Sequence, residues 1–179
     1  MESRLNIDTS RLINTFELNN AELISALIGL IKAEGDVQNR KTNVKASMSS
    51  WKLPIDHTQH PFNIFFDFFN QCFLTSTLKL IHPSHKLNDR RYYFSDLWGV
   101  VYQKDDHTYP HNHFPSYFSF CYYLKTTENS SPLVFDDTNV KIKPTTGMLV
   151  LFPGWMIHSV PPQLVNEERI LLSGNITVS

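Results

Sequence analysis

The hydrophobic period of this chain changes once, and that change constrains the fold more than any other feature. Upstream of Asn88-Asp89-Arg90 the apolar residues recur at three- and four-residue spacing, whereas downstream they recur at every second position. Asn19 with Glu22 resembles a capping box for a helix whose apolar face is Leu23, Ile24, Leu27, Ile28, Leu30 and Ile31, and Gly35 suits its end. A second helix is predicted after Pro61, where Phe62, Phe65, Phe66, Phe69 and Phe73 keep helical spacing towards Leu78; such a stripe faces a core. Residues 36–52 are polar, with Arg40, Lys41, Lys45 and Lys52, and read as a solvated connection ending at Trp51. A nucleic-acid patch is the lesser alternative for this segment.

Downstream, Leu97 to Tyr102, Tyr117 to Leu124, Leu133 to Phe135, Val140 to Ile142, Met148 to Phe152 and Arg169 to Val178 read as short strands. Turn residues separate them, among them Asp105-Asp106, Asn129-Ser130-Ser131-Pro132, Thr146-Gly147, Pro153-Gly154 and Pro161-Pro162. Many short strands at this spacing predict a mainly β fold, an antiparallel barrel or jelly roll, with the N-terminal helices packed on one outer face.

The 179 residues suit one domain that buries a sizeable core, and 16 Lys plus Arg against 17 Asp plus Glu exclude a polybasic nucleic-acid binder or an acidic tail protein. Glu2, Arg4 and Asp8 interrupt any secretory pattern. The longest apolar stretch, Leu23 to Ile31, is too short to span a bilayer, so no membrane association is expected. Cys72 and Cys121 both lie in apolar segments and read as buried thiols in a reducing compartment, which points to a cytoplasmic protein.

Of the eight histidines, His57, His60, His82, His85 and His107 sit in polar or turn-like contexts and are expected at the surface. His111 and His113 form a His-x-His pair. In extended chain, residues two apart project to the same side, so both imidazoles can reach one ion. His158 lies 45 positions after His113 at the end of an apolar strand-turn run, and a third ligand from a distant strand would leave coordination positions open. A hydrogen-bonded core histidine is the plainer reading of His158 alone.

Arg169 begins the run Arg169-Ile170-Leu171-Leu172-Ser173-Gly174-Asn175, in which Arg169, Leu171, Ser173 and Asn175 share one face. A strand returning antiparallel across Pro161-Pro162 would bring Arg169 near the level of His158. A guanidinium in such apolar surroundings needs an anion, and a bidentate carboxylate matches its geometry. That partner is either a ligand or a structural one, Glu167, Glu168 or a carboxylate elsewhere.

The order His-x-His, Leu-Val-Phe, Gly-Met-Leu-Val-Leu-Phe-Pro, His-Ser-Val-Pro and Arg resembles the Fe(II)- and 2-oxoglutarate-dependent oxygenases, in the prolyl-hydroxylase-like branch that includes oxygenases of phage and marine bacteria. The core of the resemblance covers roughly residues 92–178. It implies a double-stranded β-helix of the cupin type, one oxygenase-like domain over 1–179, with 1–90 a helical layer and 91–179 the jelly-roll core. It implies Fe(II) on His111, His113 and His158, and 2-oxoglutarate held through its distal carboxylate by Arg169, with Ser173 a hydroxyl partner. Tyr102 matches a tyrosine lining this pocket in prolyl hydroxylases. Tyr123, in Cys121-Tyr122-Tyr123-Leu124, is the phenol expected to meet the same carboxylate, although a barrel-wall role suits either tyrosine equally well.

The common motif is His-x-Asp/Glu, and here the second position is His113. Asp106, Asp136 and Asp137 are the nearby carboxylates, and none stands at the matching position. The leading expectation is a hydroxylase that uses 2-oxoglutarate and O2, with a protein side chain or a small molecule favoured over nucleic acid as substrate. For a phage-encoded chain, the host cytoplasm is the expected location. Three histidines plus water is also a zinc arrangement, so a zinc-type hydrolase or a cupin-like isomerase is one alternative. A non-catalytic β-barrel interaction module is the other.

Overall fold

The computed structural model describes residues 12–80 and 92–178. Eleven strands and two helices follow in the order β1 (Asn14–Glu17), α1 (Ala21–Glu34), β2 (Val44–Lys45), β3 (Ser47–Met48), α2 (Phe62–Leu80), β4 (Tyr92–Tyr102), β5 (His107–His111), β6 (Phe118–Lys125), β7 (Leu133–Phe135), β8 (Val140–Ile142), β9 (Met148–Pro153), β10 (His158–Val160) and β11 (Arg169–Val178). Six strands form one sheet in the order β1-β9-β6-β11-β4-β3, and five form a second in the order β2-β5-β10-β7-β8. All pairings between these strands are antiparallel. The two sheets face each other as an open jelly roll, so the expected fold class holds, but the sheets do not close into a continuous barrel.

Alternation along the central strands builds two cores. On β11, Ile170, Leu172 and Ile176 face the helices, while Leu171 faces the second sheet. On β6, Phe118, Phe120, Tyr122 and Leu124 face the helices, and Cys121 and Tyr123 face inward. α1 contributes Leu23, Leu27 and Ile31, one residue per turn. α2 contributes Phe65, Phe69 and Phe73, and Phe65 packs on Phe120 and Tyr122 at ring-centroid distances of 5.7 and 5.3 Å. The phenylalanine stripe is thus core, as its spacing predicts. Gly99 is where α1 meets β4; a Cβ there would lie 2.3 Å from Ile31 Cγ1.

Two local expectations are corrected. The N-cap of α1 is Asn20, whose Oδ1 accepts from the Leu23 amide at 2.9 Å, rather than Asn19. Gly35 does end the helix, with φ of 70°. Residues 36–52 are not merely a solvated connection: Val44, Ala46 and Met48 are buried, and β2 and β3 each extend one sheet. Two-residue strands are too short for their alternation to stand out from a polar background. β1 pairs with β9, and Leu18 N–H donates to Gly147 O at 2.8 Å, an edge addition that its mixed composition does not announce.

His82, His85 and the boundary at Asn88-Asp89-Arg90 lie outside the described residues. Cys72 and Cys121 are both free and buried, as expected, and burial pushes the Cys72 thiol up to about 12. Among the described residues no helix is long and apolar enough to cross a membrane.

Candidate metal and carboxylate site

His111 ends β5 and His158 begins β10, and strand pairing sets the two residues opposite each other. His111 Nδ1 donates to the Tyr109 carbonyl at 2.8 Å, and His158 Nδ1 donates to the Met156 carbonyl at 3.0 Å. A carbonyl only accepts, so both rings carry their proton on Nδ1 and leave Nε2 free to bind. His113 comes from the turn after β5, where its amide donates to Gly154 O at 2.6 Å. The three ring centroids stand 4.4 to 5.0 Å apart, and one nitrogen of each ring lies within 4.8 Å of the others, the spacing of a shared metal ion.

Burial holds all three imidazoles neutral. Desolvation lowers His111, takes His113 down to about 3 with help from neighbouring His111, and puts His158 well below its ordinary value. Neutral imidazoles are the form that binds metal, so the site needs no proton release at physiological pH. His57 and His60 are exposed, as expected; His107 lies on β5 and is half-buried.

Arg169 lies on the other wall of the same cavity, fully buried. Its Nη2 donates to Tyr123 Oη at 3.3 Å, and its guanidinium carbon sits 4.7 Å from the Tyr102 ring centroid and 5.1 Å from that of Tyr123. Nε and Nη1 have no hydrogen-bond partner among the described residues. Among the described residues no carboxylate pairs with it, and Glu168 is instead taken up by Lys32 at 2.8 Å and Lys125 at 3.1 Å. Nor is Arg169 on a strand that pairs with His158's: β11 lies between β4 and β6, whereas β10 lies between β5 and β7. The two residues meet because they line opposing sheets.

The cavity has about 430 Å³ of empty space, part of it open to solvent. Tyr102, His111, His113, His158, Arg169 and Ser173 line it, so six of the seven residues singled out from sequence converge there, and Tyr123 joins through Arg169. Ser173 Oγ meets Cys121 Sγ at 3.5 Å, and Tyr102 Oη pairs with Thr108 Oγ1 at 2.5 Å. Sequence reasoning passed over Trp98, which lies 5.8 Å from His113 between ring centroids, and Thr108. Alternation from Tyr102 would have found Trp98; nothing local marks Thr108.

Among the described residues no carboxylate joins the three histidines. Asp106 is buried against Arg40 at 2.6 Å and accepts from the Gln103 amide, and Asp136 accepts from Ser159. The donor set suits a divalent cation of borderline softness, and the unmatched guanidinium suits a carboxylate. These are the needs of Fe(II) and of 2-oxoglutarate, and the residues present fit both.

No curated protein matches the chain in sequence. A family model described as "Putative 2OG-Fe(II) oxygenase" matches residues 136–175, the stretch that holds His158, Arg169 and Ser173. Among solved structures, the viral collagen prolyl hydroxylase of Paramecium Bursaria Chlorella virus-1, in its 2-oxoglutarate (2OG) complex, superposes with a TM-score of 0.67 at 17% identity, covering 92% of this chain and 95% of that one. A prolyl-4-hydroxylase of Pseudomonas putida gives 0.62 at 18% identity, covering 92% and 91%. A Trichoplax adhaerens prolyl hydroxylase, solved with a hypoxia-inducible-factor peptide fragment, gives 0.60 at 13% identity, covering 93% and 84%. The chain is thus similar to the 2OG-Fe(II) oxygenase family over its C-terminal motif stretch, and it shares the jelly-roll fold of these solved structures.

Proposed function

We propose that this protein is an Fe(II)- and 2-oxoglutarate-dependent hydroxylase with a three-histidine metal site, acting with O2 on a C–H bond of a protein side chain or small molecule. One observation carries the reading: a fully buried arginine keeps two unmatched donor nitrogens in the cavity that three neutral histidines line. Leaving a charged group so poorly matched costs several kcal/mol. Supplying its anion from a ligand accounts for the burial.

In this reading His111, His113 and His158 hold the metal through three ring nitrogens and leave the remaining positions open. Arg169 grips the distal carboxylate of 2-oxoglutarate. Tyr123 accepts from Arg169 and keeps its own phenolic proton to donate to that carboxylate, and Ser173 offers a hydroxyl. Burial raises the Tyr123 phenol above its ordinary value, so it stays a donor. The Tyr102 ring backs the guanidinium and fixes its plane. Val100, Leu171 and Phe152 line the remaining wall and exclude water. Bound Fe(II) and 2-oxoglutarate supply the oxidising chemistry, in which 2-oxoglutarate is converted to succinate and CO2 as the substrate is hydroxylated. A protein substrate is supported by the neighbours named for collagen and for a peptide fragment.

The test is an anaerobic titration of the metal-free protein with Fe(II), then 2-oxoglutarate, following the visible metal-to-ligand charge-transfer band. The expected result is a band in the wild type that is lost in Arg169→Ala. Bound iron without a band overturns the reading and favours zinc chemistry at the three histidines. No iron binding favours an interaction module.

A further inference from the structure

The inner face of the six-stranded sheet is a ladder that ends in a polar group the proposed chemistry leaves unused. Register places Arg169 beside Tyr102, Leu171 beside Val100 and Tyr123, Ser173 beside Trp98 and Cys121, and Asn175 beside Asp96 and Ser119. The first three rungs line the cavity or bond to Arg169. The fourth stands about 7 Å further along the strands. There Ser119 Oγ donates to Asn175 Oδ1 at 2.8 Å, and Asn175 Nδ2 donates to Asp96 Oδ2 at 3.2 Å, as does Ser95 Oγ.

This rung lies at the end of the ladder away from Arg169, on the side of the turn that carries His113. Tyr117 N–H donates to Ile176 O, and Gly154 bridges Tyr117 and His113 by backbone hydrogen bonds. One rung below, Trp98 packs against His113 on one side and edge-on against Trp51 at 4.9 Å on the other. Trp51 is 38% exposed, and Leu97 N–H donates to its carbonyl, which keeps that indole beside Asp96's strand. Asp96 is partly exposed, and it is the one acidic residue on β4, β6 and β11. Among the described residues both hydrogen bonds to its carboxylate use Oδ2, which leaves Oδ1 its accepting capacity.

Resting on the oxygenase reading, we propose that Asp96 is a specificity-determining residue that receives a cationic group of the primary substrate, an ammonium or guanidinium, with Trp51 and Trp98 flanking the stem. Asn175, held by Ser119, keeps the carboxylate aimed while Arg169 holds the cosubstrate at the far end of the same ladder. Cation recognition by a carboxylate beside aromatic faces is chemically well matched.

The experiment titrates the full chain, in its anaerobic Fe(II)–2-oxoglutarate complex, with Nα-acetyl-lysine methylamide and with the neutral Nα-acetyl-norleucine methylamide. Tryptophan fluorescence and ligand-observed NMR follow binding. Wild type should prefer the lysine probe by roughly tenfold, the scale of one charge-assisted hydrogen bond. Asp96→Asn is near-isosteric, should melt close to wild type and keep the charge-transfer band, and should bind both probes equally. Equal affinities in wild type, no binding of either probe, or a preference that survives Asp96→Asn would overturn the proposal. The probe preference also reads out in the metal-free chain, so a missing charge-transfer band with the preference intact sinks the oxygenase reading and leaves the cation subsite standing.

Discussion

His111 and His158 face each other across a strand pair, each with its Nδ1 proton given to the carbonyl two residues before it. The backbone of each strand therefore sets the tautomer of its own ligand, and the pairing sets the distance between them. His113, from the adjoining turn, completes the triangle.

Removing a vertex should remove the metal. His113→Ala is expected to lose Fe(II) affinity by at least about tenfold, whereas His57→Ala, at an exposed position, should bind as wild type. His113→Asp supplies the carboxylate of the common motif and should retain iron. Calorimetric titration under anaerobic conditions reads all three, and equal behaviour of the His113 and His57 variants would contradict the assignment.

Arg169→Lys replaces a planar fork with a point charge and should weaken 2-oxoglutarate by about 2–5 kcal/mol. Arg169→Met should abolish the binding yet raise the melting temperature of the ligand-free protein, because an incompletely matched buried cation is exchanged for apolar packing, worth about 1–4 kcal/mol. Thermal melts with and without 2-oxoglutarate test both halves. A destabilised Arg169→Met protein would mean the guanidinium supports the fold.

Metal-free protein should lose stability in mild acid. The three imidazoles have folded-state pKa values below the ordinary 6.5, so as pH falls through 6.5 the unfolded chain takes up protons that the folded chain refuses. Each such group removes about 1.4 kcal/mol per pH unit, progressively down to its folded pKa, about 3 for His113. Urea denaturation between pH 7 and 5 should show this slope in wild type and a shallower one in His113→Ala.

Two glycines separate the site from the scaffold. Gly154→Ala would put its Cβ 2.3 Å from the Ser116 carbonyl oxygen, so the turn carrying His113 must shift and metal affinity should fall. Gly99→Ala would push into the Ile31 side chain, costing about 1–3 kcal/mol of stability while leaving metal affinity intact. Melting temperature and iron affinity, measured on both variants, should change in opposite order.

The helices and the longer strands were legible because each keeps one period long enough to be unambiguous. Arg169 to Val178 coincides with β11, Met148 to Phe152 falls within β9, and the phenylalanines of α2 fall on the core as spaced. β1, β2 and β3 are two to four residues long and take their strand character from the edge that accepts them, and the three-residue β10 takes its own from β5 and β7 on either side. The Asn20 cap was misplaced by one residue because adjacent asparagines offer the same chemistry, and only the chain's entry angle selects between them.

Sequence alone determined the candidate residues, since residue type, alternation and order are properties of the chain: a His-x-His pair, a distant histidine and an arginine that needs an anion. Tertiary structure decided whether these groups meet. Arg169 and His158 are on different sheets and never pair, so their convergence depends on how the two sheets face each other. It also decided that Glu168 serves Lys32 and Lys125 and that Asp106 serves Arg40, so that among the described residues the buried guanidinium keeps two open donors and the histidines have no carboxylate. Which charges pair is a question of distance and desolvation between segments remote in sequence, and only the packed chain answers it.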